Sequence, residues 1–516
     1  NGGTVTPTDG SVTTGKIVDD AVTAAKVASS GAFAIGATGT SSSLAGIPFF
    51  SDTTNGSIYT HDVSGTDSTA ARNTAYGLTT LDAITTGDDN TVMGHAAGTA
   101  LQDGAENVAI GTNSMAAATS AGQNTCVGHN SGAALSSGSL YNVLLGHGAG
   151  ASMTTGNRNI AIGVSSMDGF DTEAHNLGIG ISALGGSVAG GEYNVAIGNY
   201  TLDALTSADF NVAVGYQAGT AVTSGSGNIF MGYNAGEDWT EGGDSVLIGY
   251  RAGANCTTGN DIVFIGKNAG DGHDTEGNNL GIGSNSLGGS IAGGEYNVCV
   301  GNGSGLAVTS GDRNVLIGYI AGDGLTTGAG NVFIGYDSTL GSVTDKTGNI
   351  SIGDQNQHNN GNYEMTIGYQ IQGLGGNSVT IGSPSGKVYN VFSLNNTWVQ
   401  TSDERAKNII GTNTVGLDFI NECRVVDFTW KPNNELPTTF NEHREENYKD
   451  TTTVCNGFIA QEVKSALEKV GVDPEKYGVW DEQLDGVQSV SREMFILPLV
   501  NAVKELSAKV KALEEA

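Results

Sequence analysis

The feature that most constrains this chain is an internal repeat of about 17 residues. Successive copies end on a core with the sequence Asn-Val-Ala-Ile-Gly, as at Asn107–Gly111 and Asn194–Gly198. Of the sixteen intervals between the closing glycines, twelve are 17 residues long and four are 18. These glycines stand at positions 77, 94, 111, 128, 146, 163, 180, 198, 215, 232, 249, 266, 283, 301, 318, 335 and 353. Because so short a unit cannot bury its own apolar face, the spacing predicts stacked coils that form a solenoid.

Each copy carries alternating apolar residues just before its glycine. Val108 and Ile110 flank a smaller residue, Ala109, and equivalent trios recur in later copies. Alternation at period two predicts a short strand with one buried face, and we expect the Val108 and Ile110 face to be the buried one. A second apolar position and a Thr-Thr-Gly turn, as in Met153–Gly156, predict a second extended segment in each copy.

The glycine and the asparagine of the repeat have separate roles. A glycine fits a corner where a side chain would collide with the next coil or where φ must be positive. The asparagine predicts a stacked amide ladder or an Asx-type turn. At about 4.8 Å per coil, some eighteen coils give a rod of roughly 80–90 Å. A coil of 17 residues has a thin core, so we expect three chains to associate side by side.

Composition narrows the class of partner. The chain has 80 glycines in 516 residues and a formal net charge of −31. A polyanion is repelled by nucleic acid and by anionic membranes, so we expect neither as a partner. No apolar run approaches the roughly 20 residues that span a bilayer, so we expect no membrane insertion. The five cysteines have no CxxC spacing, and we expect small buried side chains with no disulfide, metal site or cofactor.

The pattern divides the chain into four parts. We expect a stalk or connector over 1–72, the 17-residue-repeat solenoid shaft over 73–383, a joint over 384–401 and a globular domain over 402–516. The predicted fold class is mainly β: an elongated trimeric β-solenoid or β-roll shaft, followed by a small α+β domain that ends in a coiled-coil helix. Within the shaft, His175–Val195 recurs as Asn278–Val298, which indicates segmental duplication. Such duplication lengthens a rod without changing its cross-section.

The last helix has a heptad pattern. Its a and d positions alternate at spacings of three and four and are Ile496, Leu499, Val503, Leu506, Val510 and Leu513. Lys509 at g and Glu514 at the following e position are placed to form an interchain ion pair. Ile or Val at a with Leu at d favours two strands in isolated coiled coils.

Four motifs in the last 115 residues occur in the order of a known family. They are Ser402-Asp403-x-Arg405-x-Lys407, the segment Leu417–Lys431, the GFIAQEV motif of Gly457–Val463 and the closing segment Phe495–Glu514. This region resembles the self-cleaving intramolecular chaperone that ends many bacteriophage tail fibres and endosialidase-type tailspikes. The shaft resembles the β-roll heads of trimeric autotransporter adhesins, whose repeats are shorter.

The resemblance to the chaperone family implies both assembly and chemistry. It implies three chains, which is the number we expect here, and a cut at the Thr401–Ser402 bond. Ser402 would be the nucleophile and Lys407 its general base, supported by Asp403 and Arg405. A lysine serves as base only if burial or a neighbouring cation lowers its pKa toward neutrality. The chain would then be a single-turnover serine peptidase acting on itself and not a metabolic enzyme.

The expected function is that of a phage tail fibre for host attachment. It would be made in the host cytoplasm and reside in the virion tail, bound to tail proteins through its N-terminus and to a host glycan or protein. Tyrosines after the repeat glycine are candidate glycan contacts, but a stacked ladder at an outer corner or trimer seam is favoured: Tyr216, Tyr233, Tyr250, Tyr319 and Tyr336. The acidic turns Glu237–Asp244 and Asp271–Glu276 are expected to be solvated loops.

Two alternative functions remain open at this point. A tailspike depolymerase, a glycanase or lyase acting on host polysaccharide, would usually carry a wide catalytic domain with irregular insertions. The regular spacing over about 300 residues leaves no room for such a domain. A bacterial trimeric surface adhesin would need a secretion signal and a membrane anchor, and neither is visible in the sequence.

Overall fold

The computed structural model describes most of the chain from residue 42 onward. The described ranges are 42–44, 47–52, 54–60, 68–187, 189–290, 292–339, 344–359, 361–392, 407–440, 443–447, 450–483 and 486–516. The chain divides into two compact units, residues 1–401 and residues 402–516. The predicted cleavage site, Thr401–Ser402, and the predicted supporting residues Asp403 and Arg405 lie outside the described residues.

The first unit is a β-solenoid of about eighteen coils. Strands β1–β23 form one sheet, in which neighbours from β3 to β22 pair in parallel and the pairs β1–β2, β2–β3 and β22–β23 are antiparallel. In chain order the strands are Ser42–Leu44, Ile47–Asp52, Ser57–Tyr59, Thr74–Tyr76, Thr91–Met93, Val108–Ile110, Thr125–Val127, Val143–Leu145, Ile160–Ile162, Leu177–Ile179, Val195–Ile197, Val212–Val214, Ile229–Met231, Val246–Ile248, Val263–Ile265, Leu280–Ile282, Val298–Val300, Val315–Ile317, Val332–Ile334, Ile350–Ile352, Glu364–Gly368, Ser378–Ser383 and Gly386–Val391. The predicted solenoid with 17-residue spacing is therefore confirmed.

Each coil is in register with the next. Val212, Ala213 and Val214 pair with Ile229, Phe230 and Met231. The rest of the coil keeps this register. For example, the amide of Thr206 donates to the carbonyl of Thr223, at the equivalent position of the next coil, at 2.9 Å. This second segment consists of turns and bends, so the prediction of a second extended segment in each copy is wrong. Turns still satisfy their backbone groups through the coil above or below.

The buried face of the strand is the opposite of the predicted one. In β4–β20 the middle residue of each strand is buried, as Ala109 and Phe230 are. The first and third residues, such as Val108 and Ile110, lie on the outer surface. The interior of a coil is narrow, and it admits Phe230 only because Gly219 and Gly236 leave room beside the ring. Small middle residues therefore mark the inside of the coil.

The predicted asparagine ladder is confirmed. Asn211 donates from Nδ2 to the carbonyl of Gly225 at 2.9 Å, and its Oδ1 accepts from the amide of Asn228 at 2.9 Å. Asn194 and Asn228 make the same bonds in the adjacent coils, and all are buried. The side-chain amides thus both donate and accept between coils, beside backbone bonds such as that from the amide of Val212 to the carbonyl of Asn228 at 2.8 Å.

The corner glycines also follow the prediction. Gly215 has φ +140°, and a Cβ there would overlap the carbonyl oxygen of Gly232 on the next coil. Since an L side chain meets both a strained backbone and a collision at this position, glycine is required for close stacking.

The second unit is a small α+β domain. Helices α1, α2 and α3 are Leu417–Glu422, Ala460–Lys469 and Ile496–Glu514. Its strands, β24–β27, are Val426–Phe428, Cys455–Gly457, Trp480–Glu482 and Gln488–Val490, and they pair as two antiparallel ribbons. Short 3₁₀ helices cover Asn433–Glu435, Pro474–Lys476 and Arg492–Phe495. The core is formed by Val415, Phe419, Val463, Ala466, Leu467, Val479, Trp480 and Phe495.

Candidate functional site

The shaft exposes a continuous apolar stripe, defined as the first and third residues of strands β4–β20. Two columns of side chains flank it. The entry column is the residue five positions before each corner glycine, and the exit column is the residue directly after that glycine. Among the described residues from Tyr76 to Ile352, the exposed large apolar side chains lie in the stripe or in these columns, apart from Tyr200 and Leu306. They are Tyr76, Leu78, Met93, Tyr141, Val143, Leu145, Ile160, Val164, Ile181, Tyr193, Ile197, Phe210, Tyr216, Met231, Tyr233, Tyr250, Tyr296, Ile317, Tyr319, Tyr336 and Ile352.

The tyrosines of the exit column stack on one another. Tyr216, Tyr233 and Tyr250 have ring centroids 5.4 and 5.3 Å apart and nearly parallel planes. Tyr319 and Tyr336 repeat this arrangement at 5.4 Å. Each ring covers a face of its neighbour, which is the geometry of the favoured ladder. The candidate glycan contacts stay a prediction, since only the ring edges and the terminal faces of each stack are open for a sugar.

A second aromatic ladder was missed by the sequence analysis. His175 stacks on Tyr193 at 4.8 Å, and Tyr193 stacks on Phe210 at 5.2 Å, all in the entry column. The guanidinium of Arg158 lies 5.4 Å from the ring centroid of Tyr141 in the same column. The available signal was the residue before the ladder asparagine, which is aromatic in several copies.

One carboxylate of the acidic turns is buried, which corrects the expectation of solvated loops. Glu276 accepts hydrogen bonds from the amides of Asp274, Thr275 and Gly293. Burial disfavours its charged form, but the backbone N–H donors outweigh burial and lower the pKa of Glu276. Glu173 makes the equivalent contacts with Asp171, Thr172 and Gly190 in the duplicated segment. These glutamates therefore brace turns.

The closing helix of the second unit exposes its heptad seam. Its a and d side chains, Ile496, Leu499, Val503, Leu506, Val510 and Leu513, are 46–78% exposed. Another face of α3 is held within the unit. The amide of Leu417 donates to Glu505 at 3.2 Å, and Asn501 donates to the carbonyls of Asn413 and Val415 at 3.0 Å. The seam thus forms a second apolar face on the surface of a single chain.

A cavity of about 550 Å³ opens beside the GFIAQEV motif. Its lining includes Phe428, Trp430, Phe458 and Arg492. Phe458 stacks on Phe495 at 4.2 Å, directly before α3. A Cβ on Gly457 would come within 3.0 Å of the Arg492 guanidinium, so glycine allows this close approach. The motif therefore builds one wall of the cavity and positions the start of α3.

Of the predicted catalytic dyad, the structure describes only the general base, Lys407. Lys407 is exposed, and its predicted partner Ser402 lies outside the described residues. No distance between the two side chains follows, so the catalytic assignment stays a prediction.

All five cysteines are free thiols. Cys126, Cys256 and Cys299 are buried in the shaft, as predicted, and burial raises the pKa of each thiol. Cys423 and Cys455 are only half-buried, so the prediction is wrong for these two. Burial also raises the pKa of Cys423, to about 11.

Among the described residues, no cluster of three or more His, Cys, Asp or Glu side chains is arranged to hold a metal ion. Within the same part of the chain, no helix combines the length and apolar character needed to cross a membrane.

Comparison with known proteins finds a family match for one segment of the chain, near its C-terminus. A search of curated proteins with the whole chain finds no match. Residues 402–472 match the family model of the S74 peptidases, described as chaperone of endosialidase. The segment begins where the second compact unit begins. The predicted family of this C-terminal segment is thereby confirmed, and its position behind a β-solenoid shaft fits a protein of the tail-fibre or tailspike type.

Proposed function

We propose that this chain is the homotrimeric tail fibre of a phage and that it serves host attachment. Its C-terminal segment brings three copies into register and then removes itself by cutting the Thr401–Ser402 bond. The shaft would join virion tail proteins through its N-terminus and contact a glycan or protein on the host surface.

One observation carries this proposal: each unit leaves an elongated apolar face exposed in the single chain. The shaft exposes the stripe along β4–β20, and α3 exposes its heptad seam. Apolar faces this extensive mark protein association sites in soluble proteins. Each face runs along the direction in which its own structure repeats, so parallel copies of that unit would cover it. The family match at residues 402–472 supports a helper role for the second unit.

The proposed cleavage uses Ser402 as nucleophile and Lys407 as base. The hydroxyl of Ser402 would attack the carbonyl carbon of Thr401, and Lys407 would accept the hydroxyl proton. The proton then passes to the amide nitrogen of Ser402 as the Thr401–Ser402 bond breaks, leaving an ester that water hydrolyses. Lys407 must be neutral to accept this proton.

Expression of the full chain tests this chemistry. On a denaturing gel the wild type should give two products, one of them the size of residues 402–516. Ser402→Ala and Lys407→Ala should each give the intact chain, because the nucleophile or the base is lost. Ser465→Ala is the matched control, since this exposed serine lies on α2, and it should cleave normally. An intact wild-type chain, or a Ser402→Ala chain that is cut like the wild type, would contradict the cleavage proposal.

A further inference from the structure

The entry and exit columns lie on opposite edges of the apolar stripe. In the coil that ends at Gly266, Asp261 belongs to the entry column and Lys267 to the exit column, with strand β15 between them. In a closed ring of parallel copies, every interface joins one edge of a chain to the opposite edge of the next. The exit column of one copy therefore faces the entry column of its neighbour, and rotation alone keeps both at the same coil level.

The backbone of the entry column indicates that its side chains are used. Tyr141, Tyr193, Phe210, Tyr296 and Tyr363 all have φ between 57° and 62°. This left-handed conformation is uncommon for bulky residues, and glycine or asparagine adopts it at lower cost. Nevertheless, these rings are 46–62% exposed in the single chain. Their burial against a partner would offset the conformational cost.

The two columns are complementary at several levels. Asp261 and Lys267 have opposite charges, and both are exposed. The entry column has no side chain at Gly227, Gly330 and Gly348, and opposite the first two the exit column has a large side chain, Tyr233 and Tyr336. From Gly77 to Gly353 the exit column has Asp, Glu, Lys or Arg only at Lys267 and Asp354, and Asp354 lies opposite Gly348.

Arg313 and Tyr319 add a cation and an aromatic ring at one further level. An arginine placed over a tyrosine ring is an attractive pair. Matches of this kind are expected of two surfaces that face each other.

The geometry points to a seam in which the exit column of one copy packs against the entry column of the next, at the same coil level. The occupant of each column is thus a second copy of this chain. The seam rests on the proposed homotrimer and adds its direction and its register. It assigns Lys267 of one copy to Asp261 of the next, and Tyr233 to the space beside Gly227.

Cysteine pairs test the seam in the full chain. The variant Asp261→Cys/Lys267→Cys is treated with a short bis-maleimide and run on a reducing denaturing gel. We expect a covalent trimer, because each cross-link joins neighbouring chains. The single variants measure any background from Cys423 and Cys455. The matched register control is Asp261→Cys/Tyr319→Cys, whose columns are correct but whose levels are three coils apart, about 14 Å. It should give no trimer above that background.

Light scattering on the same samples separates the seam from the trimer. A mass of three chains without a covalent trimer from the Asp261/Lys267 pair would overturn the seam and leave the homotrimer standing. A covalent trimer from the Asp261/Tyr319 pair in place of the level pair would overturn the register. A single-chain mass would overturn both the seam and the homotrimer.

Discussion

At the scale of single residues, the corner glycines set the stacking distance of the shaft. The Cα of Gly215 faces the backbone of Gly232 with no space for a methyl group, and its φ is +140°. A side chain here would meet both backbone strain and steric overlap. Neither can be relieved, because the corner and the next coil cannot move without breaking the register of the strands on both sides.

Replacement of Gly215 by alanine should therefore destabilise the shaft strongly. The expected loss is about 3 kcal/mol or more, from a strained backbone combined with a collision against a carbonyl group. Thermal unfolding followed by circular dichroism measures it. Gly386→Ala is the matched control, since a Cβ there meets nothing within 4 Å. Equal melting temperatures for the two variants would show that the corner is not tightly packed.

His273 introduces a pH dependence into the apolar interior. It occupies the same position of its coil as Trp239, Cys256 and Leu325 do in theirs. Its ring is fully buried and packs edge-on against Phe264 at 4.6 Å between ring centroids. Burial lowers the pKa of His273 from 6.5 to about 4. Below pH 6.5 the unfolded chain therefore binds a proton that the folded chain excludes, and the stability contribution of the neutral ring falls as pH drops toward 4.

The variant His273→Leu isolates this effect. Relative to the variant, the wild type should lose about 2 kcal/mol of unfolding free energy per chain between pH 7 and pH 5. Well above pH 6.5 the difference between the two proteins should be constant. Denaturant unfolding at pH 7, 6 and 5 provides the measurement. Parallel pH profiles for the two proteins would mean that His273 titrates normally.

At the scale of elements, the asparagine ladder and the parallel sheet hold neighbouring coils together. The ladder is interrupted at two consecutive coils, by Ser245 and then by Ile262. Ser245 accepts from the amide of Ile262 at 3.1 Å and donates to the carbonyl of Gly243 at 2.9 Å. A hydroxyl can therefore replace part of what the amide does, and the chain itself supplies a graded comparison.

Asn211→Ala should cost more than Asn211→Ser. Alanine leaves the Asn228 amide and the Gly225 carbonyl without the partners seen in the structure, at about 2–4 kcal/mol in total. Serine keeps an acceptor for the amide and should cost about 1 kcal/mol. Denaturant midpoints of both variants against the wild type give the order. The reverse order, or no loss of stability for the alanine variant, would show that the asparagine ladder does not stabilise coil stacking.

The sequence predicted these elements well but could not predict which side of the strand is buried. Val108 and Ile110 alternate with Ala109 in the same way whether they face the coil interior or another chain. Period-two alternation does not distinguish these environments, and the narrow interior favours the small residue. The entry column escaped prediction for a related reason: tyrosine and phenylalanine carry no local signal for positive φ.

At the scale of the whole molecule, both units leave apolar side chains exposed. The shaft places apolar side chains on both faces of one sheet, and the heptad seam of the last helix is exposed among the described residues. The C-terminal segment was predictable because its four motifs keep the order of the family, a match now confirmed for residues 402–472. The geometry of Ser402 and Lys407 was not predictable from the sequence, because a spacing of five residues does not fix how two side chains meet.

The absolute mass of the assembled shaft in solution tests the central claim most directly. Sedimentation equilibrium of the purified protein, with its subunit mass taken from mass spectrometry, gives the number of chains. Three parallel copies would cover the stripe along β4–β20, so the ratio should be three and should not change on dilution. A well-folded shaft that sediments as one chain would contradict the account.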